Sequence, residues 1–378
     1  MSETDIAIAA PLADDAFAVL TCALQATQHN LACPGLRIGD ELPRKRAYKA
    51  NPQHFVSTVL LLMLAIGVKA QSFAASVEQP DRPAAANEAP RSFVTVRYAS
   101  GTEVSLPVLI AENGILFQAK VNDWPDPLYF TIDSGAAATY FDTETAKRLG
   151  MVPSGEGNVQ GAGEGTVKVQ HLKNVRFELP GLTTVHPEIN TADLSGLEKE
   201  GWGHPINGFF GYDFIRQFVM TIDYDHAILT LSDPASFIYH GSGGIIPIEF
   251  RTRLPYVPGI IKVPGVPAAE ALFLIDCTSS DGANHQLIRK STGPLRHTKG
   301  GIGLGQPTQS VVGRLDYFKL GKFVIRGAPS LPFRDDGETT GQIGSAILKR
   351  FKVTFNYSKG QLILEPGKMY GQPFPALE

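Results

Sequence analysis

The chain has 378 residues, 43% of them hydrophobic, with 38 Gly and 27 Pro, which suits two modest domains rich in turns and poor in long helices. A formal net charge of -3, a pI near 6.3 and the lack of a basic stripe interleaved with aromatics argue against a nucleic-acid partner. Cys22, Cys33 and Cys277 form no CxxC pair and the nine histidines contain no HExxH, so no metal and no cofactor is expected.

Residues 1–43 form an N-terminal extension in which 12–25 can make an amphipathic helix. Residues 44–70 read as an export signal. Arg44, Lys45, Arg46 and Lys49 supply the positive region, 55–68 the apolar run and Val68-Lys69-Ala70 the cleavage site. The apolar run falls short of the roughly twenty residues that span a bilayer. Two readings follow: cleavage, placing the mature protein in the periplasm or outside the cell, or an uncleaved membrane anchor at 55–68. A signal normally lies at the very N-terminus and no Met occurs between Met1 and Met63, so a start downstream of Met1 at a non-Met codon is expected. Cleavage after Ala70 leaves Cys277 as the only cysteine. Residues 71–91, rich in Ala, Pro, Glu and Asp, read as a linker.

Short strands are predicted at 93–98, 104–110 and 115–121, separated by Gly, Asn and Pro turns. Then Pro127-Leu-Tyr-Phe-Thr-Ile-Asp133-Ser-Gly-Ala-Ala-Ala-Thr-Tyr-Phe141 delivers one acid from a strand end into a tight turn. An Asp in such a place is ordinarily a turn residue. Here the hydroxyl of Ser134, the turn amides and the permissive Gly135 surround a carboxylate at a strand mouth, an arrangement suited to catalysis. An apolar run, Asp-Ser-Gly-Ala and a following short helix together resemble the active-site loop of the pepsin-like and retropepsin-like aspartic proteases. The resemblance implies a mainly β protein of two related β-barrel lobes about a pseudo-twofold axis, with short helices.

Asp142 caps a predicted helix that Gly150 closes. The glycines Gly161, Gly163 and Gly165, with Ala162 among them, lead into the alternating strand 166–170. A dinucleotide-binding loop has to open a helix, so that reading fails; in the protease resemblance Gly161, Ala162 and Gly163 fall on the flap over the substrate. Residues 182–204 read as a variable polar segment. Phe209-Phe-Gly211, a helical turn and strands at 219–224 and 228–231 resemble the hydrophobic-hydrophobic-glycine segment that closes each lobe of the family.

The second half repeats these features in order. Leu272-Phe-Leu-Ile-Asp276 matches the Asp133 strand, 284–293 a capped short helix, and Gly300-Gly-Ile-Gly303-Leu-Gly305 the glycine hairpin. Gln342-Ile-Gly344 matches Phe209-Phe-Gly211, and strands at 352–357 and 361–365 close the copy. The resulting division is a first lobe at 92–233, a connection at 234–244, a second lobe at 245–366 and a tail at 367–378.

By resemblance, Asp133 and Asp276 form a carboxylate dyad that activates water, Ser134 and Gly135 fix the first carboxylate, and Gly303 and Gly305 join the flap set. The substrate implied is a polypeptide and the protein a monomer. The second loop departs from the family: Cys277 and Thr278 replace a hydroxyl residue and a glycine. Cys277 donates hydrogen bonds weakly and Thr278 is β-branched, so the loop is expected to relax, with Thr278 or Ser279 supplying the missing hydroxyl. Two alternatives stay open: a non-catalytic envelope peptide-binding protein, and a homodimeric protease pairing two Asp133 lobes. A thiol set of Cys277, His285 and Asp281 is weaker, because a lone Cys after an apolar strand is more often a small buried hydrophobe.

Overall fold

The structure is a computed structural model whose described residues are 94–161, 165–195, 197, 202–300, 308–333 and 339–377, all within the unit Glu88–Glu378. The extension, export segment and linker lie outside the described residues, as do Cys22 and Cys33.

Alternating hydrophobicity makes the strands. In Gly114–Val121, Phe117, Ala119 and Val121 point inward while Gln118 and Lys120 face solvent. The first half forms a nine-stranded sheet in the order Thr95–Tyr98, Leu182–Ala192, Tyr140–Asp142, Gly208–Phe210, Leu128–Ile132, Gly114–Val121, Thr166–Leu179 and Gly155–Gln160, with Leu109–Ala111 paired to Gly114–Val121. Leu182–Ala192 also pairs with Thr166–Leu179, which closes six of these strands into a barrel. Phe130, Phe141, Phe177 and Phe210 fill it and are fully buried.

The second half repeats the pattern around a seven-stranded sheet. Leu128–Ile132 runs parallel to Gly208–Phe210, which lies antiparallel to Tyr140–Asp142. Likewise Ala269–Ile275 runs parallel to Thr340–Ile343, which lies antiparallel to Ala283–His285. A six-stranded sheet joins the halves: Val219–Asp223 pairs with Phe351–Asn356, and at the middle of that register the Thr221 and Thr354 hydroxyls meet at 2.8 Å. The protein is thus mainly β, with related barrel lobes about a pseudo-twofold axis and, among the described residues, helices of six residues or fewer, such as Thr143–Arg148 and Tyr212–Ile215.

Local elements differ from the sequence reading in three places. The strand expected at 104–110 breaks at Val108: Glu103–Pro107 joins the central sheet, while Leu109–Ala111 pairs within the barrel. The polar-looking 182–204 contains the eleven-residue strand Leu182–Ala192, whose inward face carries Thr184 and His186 beside Leu182 and Ile189. Its ladder skips the pair of Pro187 and Asn174, the latter at φ 54°, so the strand's period is broken by the residue types that usually argue against one. At 284–293 the helix is a five-residue 3-10 helix, Gln286–Lys290, capped by the His285 ring.

Candidate active site

Two strands end side by side, each delivering an acid. The Asp133 N–H donates to the Phe210 carbonyl and the Asp276 N–H to the Ile343 carbonyl, both at 2.9 Å. The turn that follows is the same in both halves: the Gly135 N–H donates to Asp133 Oδ1 at 2.9 Å and the Thr278 N–H to Asp276 Oδ1 at 3.0 Å. The glycines that close each half sit underneath. A Cβ on Gly211 would lie 2.2 Å from the Ala138 carbonyl oxygen, and one on Gly344 2.3 Å from that of Asp281, so only glycine lets the second chain segment support the loop.

The two loops grip one another reciprocally. Ser134 Oγ donates to the Ile275 carbonyl at 2.8 Å and accepts from the Cys277 N–H at 3.0 Å. Cys277 Sγ donates to the Ile132 carbonyl at 3.1 Å and accepts from the Ser134 N–H at 3.4 Å. Cys277 therefore makes the hydrogen bonds that Ser134 makes. Burial pushes its thiol up to about 12, which keeps the donor proton in place. That burial also removes the thiol-nucleophile alternative, and His285 Nδ1 accepts from the Leu287 N–H.

Thr278 does not force the second loop out of shape. Neither Gly135 nor Thr278 has a positive φ, so the position does not demand glycine for its dihedrals. What differs is the space each faces. A Cβ on Gly135 would lie 2.8 Å from Asp276 Cγ, whereas the Thr278 side chain is accommodated and its Oγ1 donates to Asp276 Oδ1 at 2.8 Å. The Ser279 N–H adds a third donor to the same oxygen at 3.1 Å.

The two acids are unequal. Asp133 is raised well above the usual carboxylate range, to about 8, first by burial and then by the charge of Asp276. Asp276 has a further donor that sequence reasoning missed: Gln342 Nε2 reaches its Oδ2 at 2.7 Å. The signal was available, since Gln342 is polar where the first half has Phe209.

Among the flap residues, Gly161 follows the strand Gly155–Gln160, which pairs with Thr166–Leu179 as a hairpin. Ala162, Gly163, Gly303 and Gly305 lie outside the described residues. The strands Arg296–Gly300 and Thr308–Arg314 pair on either side of the segment that holds the last two.

Ser134 is 1% exposed, so removing its hydroxyl strands the Ile275 carbonyl and the Cys277 N–H. Ser134→Ala is expected to destabilise the protein by about 2–3 kcal/mol, read by urea unfolding; a loss below about 0.5 kcal/mol would show that the reciprocal grip carries no stability.

Residues 117–214 match the family model for aspartyl proteases. No curated protein matches the chain. The match includes the Asp133 strand and loop, the barrel around them and the supporting Gly211. Through this stretch the chain resembles the retropepsin-like aspartyl proteases, a family of protein-cleaving hydrolases.

Proposed function

We propose that the protein is a single-chain aspartic endopeptidase in which Asp133 and Asp276 act as one dyad. The observation that carries this is the reciprocal grip of the two loops, which fixes the carboxylates against each other. Two such groups cannot both ionise cheaply, so they hold one proton between them, as paired carboxylates in aspartic proteases generally do. Asp276, with three donors on Oδ1, suits the ionised state, and Asp133, held high by burial and by its neighbour's charge, suits the protonated one.

The chemistry follows from that assignment. Asp276 takes a proton from a bound water as the water oxygen attacks the peptide carbonyl, and Asp133 gives its proton to the carbonyl oxygen, forming a neutral gem-diol. Asp276 then passes its proton to the amide nitrogen, the C–N bond breaks, and Asp133 recovers a proton from a gem-diol hydroxyl. Water is the nucleophile throughout and no covalent enzyme intermediate forms. Both acids are half-buried while Ser134 and Cys277 are covered, which leaves the carboxylates open to a polypeptide and seals their supports.

The homodimer reading is less well supported, because the surface a second Asp133 loop would occupy is taken by the Cys277 loop. We further propose export through residues 44–70. The test is incubation of residues 71–378 with a mixed peptide pool at about pH 3–8, a span chosen to cover carboxylate-pair titration, with products read by mass spectrometry. Internal cleavage is expected; intact peptides at every pH, with peptide still bound, would instead support the envelope binding protein.

A further inference from the structure

The second loop is wired into a chain of side-chain amides that the first lacks. The Leu331 N–H, which can only donate, lies 2.9 Å from Asn284 Oδ1. That contact fixes which way Asn284 points, so its Nδ2 must face Asp281 Oδ2 at 2.7 Å and Gln342 Oε1 at 3.3 Å. Gln342 is oriented in turn: with its oxygen toward Asn284, its Nε2 must point at Asp276 Oδ2, 2.7 Å away. The same Asp281 Oδ2 also accepts from Ser279 Oγ at 3.1 Å. The direction of every amide in the series is therefore set by one backbone N–H.

The first half provides the comparison within the same molecule. Phe209 pairs with Tyr140 in the register where Gln342 pairs with Asn284, and the two rings stack at 4.9 Å. An aromatic pair there gives Asp133 no donor. Asp133, Asp281 and the Cys277 thiol all feel the charge of Asp276, and each of them is itself neutral or negative. An anion at Asp276 is met by hydrogen-bond donors from Thr278, Ser279 and Gln342.

We propose that Gln342 is a positioning residue which, oriented by Asn284, Asp281 and the Leu331 N–H, holds Asp276 as the ionised, water-activating member of the dyad. The proposal rests on the peptidase reading above, and the test separates the two. Gln342→Met keeps the length of the side chain and removes the donor; Gln342→Glu replaces the donor with a second carboxyl group. The pH profile of kcat/KM is measured for wild type and both variants, together with the carboxyl-carbon NMR titration of the dyad, assigned with Asp133→Asn and Asp276→Asn.

Loss of a donor to a charged acceptor disfavours the ionised form, so the acid limb of the profile and the matching NMR titration should both move up by about 1–2 pH units in Gln342→Met. Gln342→Glu should move them further, and the change should appear in kcat more than in KM. A fall in activity with both titrations unmoved would overturn the proposal, leaving Gln342 a packing residue. If wild type cleaves nothing while the NMR titration still moves in Gln342→Met, the peptidase reading fails and the orienting role of Gln342 stands.

Discussion

Asp133→Asn is expected to reduce peptide cleavage by at least about 10³-fold while making the protein more stable, increasingly so as pH rises. The first effect follows from removing the proton that Asp133 gives to the carbonyl oxygen. The second follows from linkage. Within the fold the Asp133 carboxyl is held far above the ordinary carboxylate range, toward about 8, by burial and by the charge of Asp276, so above that ordinary range the folded protein binds the proton that the unfolded chain has released. Stability from this group is full below about pH 4, declines as pH rises, and is lost by about pH 8. Asparagine never ionises and escapes that loss. The Tm of the variant should exceed that of wild type by about 3–8 °C at pH 8 and by less than about 2 °C at pH 4. Calorimetry across that range checks it, and a variant less stable than wild type at pH 8 would mean that burial of Asp133 carries no ionisation cost.

Gly135→Ala is expected to cost at least about 10²-fold in kcat/KM without exposing the core. Its Cβ would sit 2.8 Å from Asp276 Cγ and 2.9 Å from Oδ2, closer than any relaxed contact. Asp276 is held by four donors, so the strain is relieved by separating the carboxylates. The equivalent position in the other loop already carries the Thr278 side chain without a clash, so Thr278→Ala should lose only the Oγ1 donor to Asp276 and cost less than Gly135→Ala. Steady-state kinetics on both variants checks the contrast; equal losses would show that the two loops face equivalent space.

What the sequence made legible was what local pattern encodes. Leu128–Ile132 and Ala269–Ile275 read as strands because their apolar runs are β-rich, and the acids after them read as site residues because each stands at a strand end before a turn. Gly211 and Gly344 are legible because close approach admits no Cβ. The joining of both halves in one central sheet is not legible, since the register of Val219–Asp223 with Phe351–Asn356 brings together strands from opposite halves of the chain. Nor is Leu182–Ala192, whose buried face carries Thr184 and His186 in place of large aliphatics. Cys277 reads as a defect when donor strength is weighed by residue type; in the fold its sulfur reaches the Ile132 carbonyl from a covered position. Gln342 is matched to Phe209 in the repeat, and its difference from Phe209 places a donor on Asp276.

If Asp133 and Asp276 work as one unit within one chain, each should be indispensable and their losses should not add. The most direct measurement is kcat/KM on a peptide selected from the mixed pool, for wild type, Asp133→Asn, Asp276→Asn and the double variant, each shown by circular dichroism to be folded. Either single substitution is predicted to bring cleavage to background, with the double no worse than either, as groups acting together are not additive. Cleavage retained in Asp276→Asn but lost in Asp133→Asn would contradict the single-chain dyad and would place the activity in a pair of first lobes.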